Sequence, residues 1–137
     1  MTLSAADKKA LSDVRFAKAQ RFLDDARANL TENRINTSVN RSYYAALNCV
    51  QALLILEGVN PESHRGMITT LSLRFLKGEL LPVSVVKSFK ILLSRRTDAD
   101  YGDFETIDRI EAEDSVAKAE EILNQIDALR LRLSAEL

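Results

Sequence analysis

From Leu11 to Leu133 apolar side chains return at steps of three and four, and no stretch alternates apolar with polar for long enough to argue a strand. That rhythm admits helices and little else. Leu11, Phe16, Ala19, Phe22, Leu23, Ala26 and Leu30 form one stripe, with Lys8, Lys9, Lys18, Arg21, Asp24 and Asp25 in the gaps. With Ser4 as a cap and Asp7 in the first turn, they predict a helix over about residues 5–30.

The remaining punctuation is sparse. Four glycines and two prolines in 137 residues allow few turns and therefore few, long elements. After the polar "TENRIN", Asn36 or Thr37 can cap a second helix whose face is Val39, Tyr43, Ala46, Leu47, Val50, Leu53 and Leu54, stopped by Gly58 and Pro61. It is the least polar segment, which predicts a central position. Ser63 can cap a shorter third helix carrying Ile68, Leu71, Leu73, Phe75 and Leu76, ended by Gly78. Pro82 suits the first turn of a fourth helix, about 82–97, that buries Val85, Val86, Phe89, Leu92 and Leu93. Asp108 and Glu111 have capping-box spacing ahead of the stripe Val116, Ala119, Ile122, Leu123, Ile126, Leu129 and Leu133. The expected fold is all-α, an antiparallel up-and-down bundle of four long helices plus one short helix, a single domain over 1–137.

Composition removes several classes of function. Nineteen basic against twenty acidic residues leave a net charge of -1, so bulk charge draws the chain toward neither nucleic acid nor an anionic membrane, and RNA contact needs a local patch. Cys49 is the only cysteine and sits in an apolar run, which excludes an internal disulfide and reads as a small buried residue. No membrane span or signal-peptide core is visible, so a soluble, cytoplasmic protein is expected.

Polar residues on these helices leave two readings open. Arg41, Tyr44 and Asn48 line up at i, i+3 and i+7, either as a bundle-edge face with Arg41 bonded to a carboxylate of another helix, or as a groove in which Arg41 binds phosphate and a tyrosine stacks on a base. His64, the one histidine, follows Ser63 at a helix start. It can serve a site only if the third helix lies near the end of the fourth. There stands "SRRTDADYGDF", residues 94–104. As a turn it explains Arg95 and Arg96 opposing the helix dipole and the aspartates capping the next element. It explains Tyr101 and Phe104 around Gly102 less well. Asp98, Asp100 and Asp103 are spaced like oxygen ligands but lack the glutamate that closes a calcium loop, so no metal and no cofactor is expected.

Taken together, "NRSYYAALNCVQALLILEGVNPESHRGMI" (40–68) and "LLSRRTDADYGDF" (92–104) resemble the HEPN superfamily, and within it the small stand-alone prokaryotic proteins called UPF0332. The pattern Arg-x-Tyr-Tyr-Ala falls on Arg41, Tyr43, Tyr44 and Ala45. Gly58, Pro61 and His64 come next, and Arg-x-x-Ala-Asp-Tyr falls on Arg96, Ala99, Asp100 and Tyr101. The resemblance spans about residues 10–130 and implies a helical bundle, often a homodimer, partnered by a minimal nucleotidyltransferase acting as antitoxin. In active members a motif Arg-x4-6-His cuts RNA without metal, and in some systems the partner nucleotidylates a nearby tyrosine. Here the positions where the histidine belongs hold Tyr101, Gly102 and Asp103. A tyrosine of ordinary pKa near ~10 is a poor general base at neutral pH. The resemblance therefore implies a nucleotide- or RNA-binding, or partner-binding, module built on Arg41, Tyr44, Arg96, Asp100 and Tyr101. The alternative is an endoribonuclease in which Arg96 holds phosphate and Tyr101 or His64 moves the proton.

Overall fold

The computed structural model describes residues 2–102 and 107–137. Among them there is no strand. The chain forms α1 (Ala5–Thr31), α2 (Ile35–Leu54), α3 (His64–Leu71), α4 (Val83–Tyr101) and α5 (Arg109–Ala135). A 3-10 turn, Ile55–Glu57, extends α2, and a π turn, Ser72–Leu76, extends α3. Ser4, Ser63 and Asp108 cap α1, α3 and α5 as their spacing predicts, and Glu111 completes the capping box.

Side-chain bonds between helices fix the directions. Ser12 Oγ donates to the Ala52 carbonyl at 2.7 Å and Ser38 Oγ to that of Ala26 at 2.8 Å, so α1 and α2 run antiparallel. Arg130 reaches Asp13 at 2.7 Å while Arg27 reaches Glu120 at 3.2 Å, which sets α5 antiparallel to α1. Tyr44 meets Arg96 and Asn40 meets Asp100, which sets α4 antiparallel to α2. The up-and-down bundle results, with α3 as its short element. α2 is central: it packs on α1, α4 and α5, and thirteen of its residues are buried.

Two boundaries differ from the sequence reading. α2 begins at Ile35, ahead of Asn36 and Thr37, because Asn33 at φ 61° turns the chain sharply and leaves Arg34 as a cap without a side-chain bond. α4 continues to Tyr101 instead of ending near 97, so Ser94–Tyr101 is helix and not an interhelical turn. Ala99 explains this: it packs against a small apolar cluster of Val39, Ile107 and Ala112, which rewards one more turn of helix. Arg95 accordingly does not cap α4. It crosses to α5, where Nη1 donates to Asp114 at 2.8 Å and to Ser115 at 3.0 Å. The π turn also leaves Leu73 exposed, while Met67, Leu71 and Phe75 of that segment are buried.

Phe89 is fully buried and its ring stacks on Tyr43, with centroids 5.8 Å apart and planes 8° from parallel. Phe89→Ala is expected to lower the free energy of unfolding by about 3–5 kcal/mol, read from urea denaturation midpoints at unchanged slope.

Candidate functional site

Arg96 stands seven residues after Phe89, two helical turns along the same inward face of α4. A guanidinium on that face must be paired or hydrogen-bonded. Its Nη2 donates to the Tyr44 hydroxyl at 2.9 Å, and its side chain is 15% exposed. Its carbon centre lies 5.7, 5.5 and 5.6 Å from the ring centroids of Tyr43, Tyr44 and Tyr101. Three aromatic faces thus surround one cation.

Asp100 supplies the counter-charge one turn along the same helix. Its Oδ2 is 3.1 Å from Arg96 Nε, yet that buried N–H points at no acceptor, so the contact is a Coulombic pair and not a directed hydrogen bond. Asn40 fixes the carboxylate instead: its Nδ2 lies 3.1 Å from both oxygens. The Asn40 Oδ1 in turn accepts from Arg41 Nη1 at 2.6 Å. Burial is the largest single effect on Arg96 and acts to lower its pKa. The Tyr44 hydrogen bond, with the neighbouring Tyr44 and Tyr101 phenols and the Asp100 carboxylate, outweighs it and holds the guanidinium above its ordinary value.

His64 joins from α3. Its Nδ1 is hydrogen-bonded to the Tyr43 hydroxyl. Burial keeps the Tyr43 phenol protonated by pushing its pKa well up. The direction of that bond follows the imidazole tautomer: the phenol donates when the ring proton is on Nε2 and accepts when it is on Nδ1. Burial first, and the charge of Arg96 second, hold the imidazole below the ordinary histidine range.

The structure therefore brings Arg96, Asp100, Tyr101 and Tyr44 into contact, and joins His64 through Tyr43 and Arg41 through Asn40. Arg41 sits at the rim, 6.0 Å from the Phe22 ring, and meets Asn40 instead of a carboxylate of another helix. Asn48 turns back to the Tyr44 carbonyl at 2.8 Å and takes no part. Asp103 and Phe104 lie outside the described residues. Among the described residues, no three His, Cys, Asp or Glu side chains cluster as a metal would require. Sequence reasoning gave no role to Asn40, and counted Tyr43 in the core and in the Arg-x-Tyr-Tyr-Ala pattern without assigning it a place in the site. Their signal was available: Asn40 precedes Tyr43 and Tyr44 by three and four residues, so it lies directly over both on α2.

A shallow depression of about 320 Å³ opens beside Asp100, lined by Asn36, Thr37, Asn40 and Arg41. A larger groove of about 610 Å³ runs between α1 and α5; Arg27 pairs there with Glu120 and Asp127 with Arg130, while Arg21 on its wall makes no ion pair among the described residues. Convergent polar chemistry, and not size, selects the Arg96 cluster.

The HEPN domain profile matches residues 13–129. A UPF0332 protein of Thermotoga maritima is 30% identical over 112 residues, 82% of this chain and 85% of the relative. A Methanocaldococcus jannaschii protein named "Putative toxin MJ0142" is 29% identical over 108 residues, 79% of this chain and 74% of the relative. A UPF0332 protein of Gloeobacter violaceus is 29% identical over 85 residues, 62% of this chain and 68% of the relative.

The depressed His64 pKa carries a stability signature. A folded-state value below the unfolded value of ~6.5 means that the unfolded chain binds more protons in that window. The contribution is complete above pH ~6.5 and is lost as pH falls through the folded value. Unfolding midpoints of the wild type are expected to drop with acidification below that point, and His64→Asn to show a flatter profile there.

Proposed function

The chain belongs to the HEPN domain family, and on that premise we propose that it is a toxin-type HEPN protein whose Arg96 cluster binds a phosphate of RNA or of a nucleotide. One observation carries the reading: a permanently charged guanidinium, enclosed by three tyrosines, is balanced by a single carboxylate to which it makes no directed hydrogen bond. A phosphate oxygen arriving where Asp100 now sits would take that pairing over with better geometry. The Tyr44 hydroxyl adds a second donor, and Tyr101, 70% exposed, offers a ring face on which a base can stack. Arg41 at the rim meets a neighbouring phosphate.

The proposal extends to assembly. The protein works as a homodimer that pairs two such clusters, and a minimal nucleotidyltransferase is its antitoxin partner. The relative named as a toxin supports the class of system.

A second reading has its own observation. His64 reaches the network through Tyr43, and its depressed pKa leaves the imidazole neutral at pH 7, the form that accepts a proton, which suits a general base toward the attacking 2′-hydroxyl. In that reading the protein is a metal-independent endoribonuclease, with Arg96 stabilising the phosphorane charge.

Mixed structured RNAs separate the cases. Arg96→Ala is expected to weaken RNA binding about ten- to hundredfold in a filter assay, the loss of a charge-assisted contact. Asp100→Asn, which removes the resident competitor, is expected to strengthen it. Cleavage by the wild type that disappears in both Arg96→Ala and His64→Ala would establish the second reading, and binding without cleavage the first. RNA affinity indifferent to Arg96→Ala would overturn both.

A further inference from the structure

The other end of α2 holds a second pair of cations, unconnected to Arg96. Three arginines that are buried or nearly so each face a carboxylate: Arg95 meets Asp114 at 2.8 Å, Arg96 meets Asp100 at 3.1 Å and Arg130 meets Asp13 at 2.7 Å. Arg15 differs. It is half-buried on α1, its Nη1 is shielded from water, and that nitrogen has no hydrogen-bond partner among the described residues. Burial lowers its pKa, but an arginine starting near 12.5 remains charged. A buried N–H of a charged group left without an acceptor is costly, and because this one is closed to solvent, an outside acceptor reaches it only if the flexible side chain turns its guanidinium into open space.

Arg15 lines a pocket of about 420 Å³ between the start of α1 and the turn after α2, within the ~300–1,000 Å³ range of small-molecule sites. Lys8, one α1 residue two turns earlier, lines the same pocket. Its ammonium lies against Gly58, whose φ of +73° makes the turn: a Cβ there would stand 3.6 Å from both Cε and Nζ of Lys8, an ordinary contact. Leu11 and Ile55 give the pocket an apolar wall and Asn60 a polar edge. Glu57 also borders it, but leans toward Arg74 at 3.8 Å and forms no ion pair with Lys8 or Arg15. Two cations against one distracted carboxylate leave the cavity short of negative charge.

We infer that this pocket binds a phosphate monoester, whose oxygens sit between Arg15 and Lys8 and whose organic part lies on Leu11 and Ile55. A monoester carries between one and two negative charges at neutral pH and three acceptor oxygens, enough to serve both cations together. A carboxylate brings one charge and two oxygens. The apolar wall favours an ester over inorganic phosphate.

Thermal melting at constant ionic strength, with phenyl phosphate, inorganic phosphate or benzoate as the probe, tests this. With phenyl phosphate at about ten times its Kd the Tm of the wild type is expected to rise by about 3–6 °C, more than with inorganic phosphate or benzoate. Arg96→Ala should keep the rise, Lys8→Met should weaken it and Arg15→Met should abolish it. Arg15→Met removes an unpaired charge and should melt no lower than the wild type without probe. Should it fail to fold, Lys8→Met decides alone. A rise that survives in Arg15→Met, or in a folded Lys8→Met unchanged, overturns the site. So does a rise that vanishes in Arg96→Ala, which would place the anion at the other cluster. An equal response to benzoate overturns the ligand class, and no rise with either phosphate overturns the inference, leaving the Arg96 reading untouched.

Discussion

α2 is enclosed by three other helices, and that enclosure dictates where polar groups can go. A helix with thirteen buried residues satisfies its backbone internally, and of the polar side chains it carries inward Asn48 turns back to its own helix and Ser42 Oγ has no partner among the described residues, while the rest are met from elsewhere. Near its ends the partners are carbonyls and hydroxyls: Ser38 takes the Ala26 carbonyl, and the Ala52 carbonyl receives Ser12. In its first half the groups are larger. Tyr43 and Tyr44 must place two hydroxyls, and the surrounding helices answer with His64 from α3 and Arg96 from α4. The cluster is thus the solution of a packing problem, and its chemistry depends on which residues solve it.

Much of the fold was legible because its determinants are local. Three caps, the apolar stripes and the central place of α2 all depend on residues within a few positions of one another. The end of α4 was not legible, because Ala99 is helical through its contact with Val39, Ile107 and Ala112, residues distant in sequence. "TDAD" viewed alone has the composition of a turn. Tertiary burial overrode that preference.

The site divides along the same line. Arg96, Asp100 and Tyr101 are visible as a local pattern, and Asn40 could have been read from its spacing to the two tyrosines. The position of His64 could not. Between Tyr43 and His64 lie twenty residues, including two turns, and only the packing of α3 against α2 and α4 decides that the imidazole faces a buried phenol. The absent histidine after Arg96 and the present one at 64 are therefore separate facts. The first belongs to a motif and the second to a three-dimensional arrangement.

Asp100 lies four residues beyond Arg96 on one rigid helix, so the cation never meets an outside anion without a rival already in place. A tethered rival acts at an effective concentration on the order of millimolar or higher. Free phosphate and other small ions at lower concentrations lose that competition. A strand engaging Arg96 and Arg41 together, as proposed, would gain from its second contact what the first must spend in displacing Asp100. If the cluster takes a phosphate as proposed, the single carboxylate works as a threshold that favours polyanions over small ions.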